Sequence, residues 1–318
     1  MMTSPGPPGG ATFSLEGRPA PGLYVVAWLL GGVGVALFLV GIGASPGARL
    51  PFLMAGLLAL GAGLASAAGY QILARAARPA EAYRGPSPVL AFALAAMIGL
   101  VIDAVLLGGL GLFDPGSPAG LLLGLIGVGS GYLAVIVLFV VRSGVLRWSE
   151  MGWPAGIGRF GHLLRDAVFG VAVTVPAVVP VLVFGALLAT LLHVTPTDRI
   201  PLVETRFDAF LVVLAFAIVA PIGEELFFRG FAQSAWQRDL GLRPALIRAA
   251  FFFALVHILN QTGASFGEAA AGALLQFAVI LPLGFILGWA FQRHGIAASI
   301  AGHMSYNGTL LLLAALTR

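Results

Sequence analysis

Long apolar runs almost free of charge dominate this chain, and they fix the solvent in which it folds. Nine windows, at about 23–45, 52–74, 88–113, 119–141, 164–193, 207–236, 244–260, 270–291 and 296–316, are bounded by Arg, Pro, Asp or Glu, and most reach the roughly 20 apolar residues a helix needs to cross hydrocarbon. The window 244–260 is the weakest of them. With 59% hydrophobic and only 9% charged residues among 318, the chain lacks the polar side chains to cover a water-soluble surface. The expected fold is all-α, a polytopic transmembrane helical bundle of about nine membrane helices.

The net charge of +4 would point to nucleic acid in a soluble protein, but here the basic residues must first be placed against a bilayer. All 17 are arginine. If the N-terminus is cytoplasmic, the inner segments hold Arg18, Arg75, Arg78, Arg84, Arg142, Arg147, Arg159, Arg165, Arg238, Arg243, Arg248 and Arg293. The outer ones hold only Arg49, Arg199, Arg206 and Arg318. The asymmetry predicts an N-inside, C-outside topology, with the basic residues meeting lipid head groups and no nucleic acid as partner. Abundant Ala, Gly and Arg without Lys suggests a GC-rich bacterial genome, hence the bacterial inner (cell) membrane.

No cysteine is present, which removes disulfides, thiolate metal sites and cysteine nucleophiles together. Residues 1–22, rich in Pro and Gly with no basic n-region, read as a disordered cytoplasmic tail. The Arg-, Trp-, Gly- and Pro-bearing loop 142–162 divides a four-helix membrane region, 23–162, from a second region, 163–318. The second region contains nearly every polar residue that lies deep in an apolar run. No internal repeat is visible, and the many glycines are read as sites of close helix approach.

An ionisable side chain in hydrocarbon costs about 3 kcal/mol or more, so each one needs a partner or a job. The acids at depth are Asp103, Glu224 and Glu225, and the deep histidines are His257 and His303. Glu225 and Arg229 stand four apart and share a helix face, where arginine's fork suits a bidentate ion pair that lysine could not copy. Glu224 is then rotated about 100° away and free for a different neighbour. His303 and Asn307, also four apart, present imidazole and carboxamide on one face. By helix rise Glu224 and His257 lie roughly 18 and 20 Å from the cytoplasmic side, and His303 and Asn307 roughly 10 and 16 Å. One cavity open to the cytoplasm could hold all four. Asp103 has no evident partner or role.

The three elements Glu224-Glu225-x-x-x-Arg229, Phe253-x-x-x-His257 and His303-x-x-x-Asn307, in this order on separate membrane helices, resemble the CAAX prenyl protease type II and bacteriocin-processing (CPBP, or Abi) family of intramembrane endopeptidases. The resemblance covers about 165–316 and leaves the first four helices unexplained. It implies hydrolysis of a peptide bond in a membrane-associated substrate; the family's eukaryotic members remove three C-terminal residues from prenylated proteins, which makes a lipidated substrate a candidate. Glu224 is suited to activate water with His257 sharing that water, while His303 and Asn307 can donate to the oxyanion. Glu225 and Arg229 would hold the helix and tune Glu224.

Glu224, His257 and His303 are also a carboxylate and two imidazoles of the kind that holds zinc, so a Zn-dependent hydrolysis stands beside the metal-free one, with no HExxH spacing to decide it. Two other classes remain: a non-catalytic membrane scaffold or immunity protein, and a proton-coupled transporter relaying through Asp103, Glu224 and Glu225. The orientation is tested on the cysteine-free background. Cysteines introduced at Arg78 and at Arg199 are expected to react with an impermeant thiol reagent from opposite sides of the membrane, and labelling of both from one side would refute the assigned topology.

Overall fold

The computed structural model describes residues 14–109, 113–153, 160–194, 201–261 and 263–317. Most of the expected tail, together with Arg159, Arg199 and Arg318, lies outside the described residues. Among the described residues all regular structure is helical. The helices are α1 (Pro21–Gly43), α2 (Pro46–Arg75), α3 (88–109), α4 (118–141), α5 (160–192), α6 (206–240), α7 (Leu242–His257), α8 (Phe266–His294) and α9 (Ile296–Thr317). The first four begin on Pro21, Pro46, Pro88 and Pro118, where the missing N–H is one the helix could not use and the fixed φ is already helical. Thr205 and Ser265 start α6 and α8 as caps, accepting from the N–H groups of Asp208 at 3.1 Å and Glu268 at 3.2 Å.

Seven of the helices are long and apolar enough to cross a membrane, and the chain is an integral membrane protein. The two that fall short are informative. The run 244–260, expected to span, forms a helix of 16 residues, about 24 Å long, which ends at His257 and a single tight turn at Ile258–Asn260. That is less than the roughly 30 Å of a hydrocarbon core. α9 has 22 residues, enough to span, but carries His303, Ser305, Tyr306 and Asn307 in its middle.

The chain packs as two compact units, residues 1–97 and 98–318. The change of unit falls within α3, and the sequence boundary at 162/163 lies inside the second unit. In the first unit α1 and α2 form an antiparallel pair seated on small residues: a Cβ at Gly56 would come within 2.7 Å of the Phe38 nitrogen. Arg75 donates to the Gly85 carbonyl at 2.6 Å, and the Ser87 N–H donates to Gln71 Oε1 at 2.6 Å, turning the chain into α3.

In the second unit α5 and α9 touch backbone to backbone, since a Cβ at Gly170 would lie 1.9 Å from the Ala298 carbonyl oxygen. α4 approaches α6 in the same way, with a Cβ at Gly223 landing 3.2 Å from Gly129 Cα. This contact explains why α4 packs with the C-terminal helices.

The segment after α4 is tied to the end of α6 by charge. Arg238 donates to Glu150 Oε1 at 2.6 Å and to the Val145 carbonyl at 3.2 Å, while Glu150 Oε2 accepts from the Arg147 N–H at 2.7 Å. Partial burial pushes the Glu150 carboxyl up, but the Arg147 N–H and the guanidinium groups of Arg238 and Arg147 outweigh it and hold the group below its usual value. A depressed folded pKa contributes stability that is complete above the unfolded value of about 4.3 and is lost as pH falls through the folded one. The melting-temperature gap between the protein and Glu150→Gln is expected to stay constant from pH 8 to about 5 and to close below about 4. A gap that does not change with pH would refute the ionic tie.

Candidate active site

α6 is built from a short regular stretch, Ala220–Glu225, between two π-helical ones, Leu214–Val219 and Leu226–Gln233. Such widened turns need a compensating donor, and the sequence shows why. The Ala220 N–H bonds back to the Ala215 carbonyl, five residues away. In that register the Phe216 carbonyl falls to residue 221, which is a proline with no hydrogen to give. Asn307 of α9 supplies it, donating from Nδ2 to the Phe216 oxygen at 2.8 Å.

The residue pair next along α6 is a buried ion pair. Arg229 Nη1 donates to Glu225 Oε1 at 2.9 Å, and both side chains are 0% exposed. The contact is single, not the bidentate grip that arginine allows. Nη2 turns instead toward the Gly284 carbonyl of α8 at 3.4 Å, and the guanidinium carbon lies 4.1 Å from the centre of the Phe253 ring on α7. Gln233, one turn further and also fully buried, donates to the Gly288 carbonyl at 2.9 Å. Glu225 Oε1 takes a second bond that the sequence did not suggest: His303 Nδ1 lies 2.8 Å from it. One carboxylate therefore joins α6 to α9, and through Arg229 to α7 and α8.

Glu224 points the other way, as the helical offset predicts. Its Oε2 lies 3.8 Å from His257 Nε2 and 3.9 Å from His303 Nε2, and the Glu224 and His257 side chains keep 21% and 23% exposure. His257 Nδ1 is 2.7 Å from the Phe253 carbonyl. A carbonyl only accepts, so Nδ1 carries the hydrogen and the Nε2 lone pair of the neutral ring faces Glu224. His303 follows the same logic through Glu225. The separations from Glu224 exceed a direct hydrogen bond and are of the size that one water bridges.

Phe253 is the platform beneath this group, with its ring 4.4 Å from that of His257 and 5.8 Å from that of His303. Tyr132 of α4 is a neighbour that sequence reading missed. It is 7% exposed, packs on the rings of Phe227 at 4.7 Å and Phe228 at 6.0 Å, and its phenol is within electrostatic reach of Glu224. A lone tyrosine in an apolar run gives no signal of this. Asp103 stands against Gly127 of α4, with no hydrogen-bonding partner for its Oδ1 among the described residues.

Residues 206–309 match the family model described as Rce1-like, type II CAAX prenyl endopeptidase. The similarity to type II CAAX prenyl endopeptidases is carried by this segment, about a third of the chain. It spans α6, α7, α8 and most of α9, and so includes Glu224, Glu225, Arg229, His257, His303 and Asn307. The match begins at α6 and leaves α5, as well as α1 to α4, outside it. Comparison with curated proteins and with solved structures gave no match.

Among the described residues no group of three or more His, Asp or Glu is placed to hold a metal ion.

The buried pair gives a stability test. Arg229→Ala leaves the Glu225 carboxylate short of its strongest compensation and is expected to cost roughly 3–5 kcal/mol. Arg229→Lys is expected to recover only part of this, because an ammonium cannot reach Glu225 and Gly284 together or lie flat on Phe253. Detergent melting curves would measure both, and an unchanged Arg229→Ala curve would show that the pair does not hold the domain.

Proposed function

We propose that the protein is an intramembrane endopeptidase that hydrolyses a peptide bond with water activated by Glu224 and His257. The observation carrying this reading is the convergence of the Glu224 carboxylate with two imidazole Nε2 atoms at 3.8 and 3.9 Å, on helices inside the CAAX prenyl endopeptidase-like segment.

Glu224 takes one proton of the water as its oxygen attacks the carbonyl carbon. Neutral His257 accepts the other hydrogen at Nε2 and orients the water. The carbonyl electron pair moves to oxygen. Asn307 retains a second amide hydrogen beyond the one given to Phe216, and it can donate there.

His303 can donate from Nε2 only as the imidazolium, because Nδ1–H is committed to Glu225. Glu225 stabilises that imidazolium, much as a carboxylate orients the histidine of a catalytic triad. Glu224 then passes its proton to the leaving amine, and the peptide bond becomes an acid and an amine.

The substrate is a membrane-associated peptide or protein, and a prenylated C-terminal sequence is the first to try on the strength of the family match. The setting is a bacterial inner membrane with the N-terminus in the cytoplasm, following the arginine asymmetry. A transporter relay is less well supported, since among the described residues no hydrogen bond links Asp103 to Glu224 or Glu225.

The test uses a quenched prenylated peptide ending in a CAAX-like sequence. Glu224→Gln is expected to abolish cleavage with the melting curve unchanged, whereas Glu225→Gln should lower both activity and melting temperature. Full activity in Glu224→Gln with loss in Glu225→Gln would mean that the wrong carboxylate has been assigned. Full activity in both would favour a non-catalytic scaffold.

A further inference from the structure

Away from the site just described, the second unit has two cavities of opposite character that share one wall, the Trp153 ring. The first, about 420 Å³, is lined by Ser149, Trp153, His162, Arg165, Asp166 and His294 among others. The second, about 400 Å³, is lined by Leu133, Trp148, Trp153 and Leu226. Trp148 and Trp153 meet edge to face, 6.3 Å apart at 86°, so the shared wall is braced.

The charges in the polar cavity are unevenly committed. Asp166 Oδ1 accepts from Arg165 Nε at 3.1 Å and Nη2 at 2.9 Å, and lies 2.9 Å from His294 Nδ1. The His294 ring is seated on Phe169 at 3.9 Å. All three contacts fall on one oxygen of the acid, Oδ1, and the Arg165 guanidinium already counters its charge. Among the described residues the Ser149 hydroxyl, the Trp153 indole N–H, the His162 imidazole and Arg165 Nη1 have no hydrogen-bonding partner. What remains unpaired is chiefly donors, and two of the groups carry or can carry positive charge. These donors suit an anion, and a phosphate, with several oxygens, uses this set better than a carboxylate.

The level of the cavities adds the second half of the ligand. The polar one is bounded by helix ends: α4 finishes at 141, α5 starts at 160, α8 finishes at His294 and α9 starts at Ile296. Head groups and interfacial tryptophans belong at this depth. Leu133 lies 8 residues back along α4 from that end, about 12 Å deeper, so the apolar crevice runs down into hydrocarbon.

We propose that this pair of cavities binds an anionic phospholipid, its phosphate among Arg165, Ser149 and Trp153 and one acyl chain against Leu133 and Leu226. A zwitterionic head group fits less well, because the charge of Asp166, the acid of the cavity, is already countered by Arg165 and is not free for a quaternary ammonium. Leu226 follows Glu225 directly in α6, so the bound chain would lie beside the helix that carries both glutamates.

The test reads lipid binding and does not depend on peptidase activity. Purified full-length protein in mild detergent is titrated with phosphatidylglycerol, with phosphatidylcholine and with inorganic phosphate alone, following melting temperature and lipid retained in native mass spectrometry. Phosphatidylglycerol is expected to raise the melting temperature and remain bound. Arg165→Gln, at an exposed guanidinium whose loss should leave the lipid-free melting curve unchanged, should weaken binding about tenfold or more. Leu133→Trp, which fills the crevice, should weaken it through the chain.

Equal effects of the two lipids in the parent and in Arg165→Gln would overturn the proposal. Inorganic phosphate acting as well as phosphatidylglycerol, with Leu133→Trp without effect, would reduce the site to a free-anion pocket and also overturn it. So would displacement of phosphatidylglycerol by an anionic prenylated peptide that binds more tightly through Arg165, which would assign the cavities to substrate.

Discussion

A carboxylate at the depth of hydrocarbon has to be compensated, and Glu225 is compensated twice through a single oxygen, by Arg229 at 2.9 Å and by His303 at 2.8 Å. The rest of the site depends on this arrangement. Removing two charges from water costs several kcal/mol each, which their attraction repays only with good geometry and further hydrogen bonds. Those further bonds come from other helices: the Gly284 carbonyl of α8 takes the second arm of Arg229, and the Phe253 ring of α7 takes its face. A pair that looks local in sequence is thus the junction of four helices. Because His303 is held by Nδ1, its Nε2 has one direction left to face, and Glu224 is there.

The two glutamates divide the work because the helix sends adjacent side chains to different surroundings. Glu225 is fully buried and spends its charge on architecture, whereas Glu224 keeps 21% exposure and faces the Nε2 atoms of the two rings. A base must be able to lose and regain a proton within the catalytic cycle. A carboxylate locked to a guanidinium is poorly suited to that, and one that faces a place where water can bridge is well suited. The structural pair holds the His303 ring and, through the Phe253 face, the neighbourhood of His257 in place beside Glu224.

Much of this was legible in the sequence, and the part that was not has a physical reason. Glu225 and Arg229 could be paired from spacing alone, because four residues on a helix define a face. The meeting of Glu224 with His257 and His303 could be anticipated from depth, since helix rise converts position into distance from the membrane surface. The bond between Glu225 and His303 could not, because rise says nothing about rotation between helices, and π-helical turns on both sides of Ala220–Glu225 change the angular bookkeeping on which any such guess relies. The bond from Asn307 to Phe216 had a signal after all: Pro221 removes a donor from the middle of a membrane helix, and in lipid some side chain has to replace it. Tyr132 left no signal, because a tyrosine in an apolar run fits a lipid-facing helix equally well.

The same economy explains why the site residues lie on the helices least suited to hydrocarbon. α7 ends at His257, short of a full crossing, and α9 interrupts its apolar run with His303, Ser305, Tyr306 and Asn307. A hydrolase inside a bilayer must admit water to a region from which lipid excludes it, and a helix that stops at that depth, beside one with a polar middle, gives water somewhere to go. α6 could not be shortened in this way, because it carries both glutamates and the arginine. It crosses as a rod of 35 residues and keeps its polar groups on a face covered by α7, α8 and α9. Apolarity is therefore distributed by role: the helices outside the matched segment are free to be lipid-like, and those within it give up hydropathy at the positions where chemistry needs polar atoms.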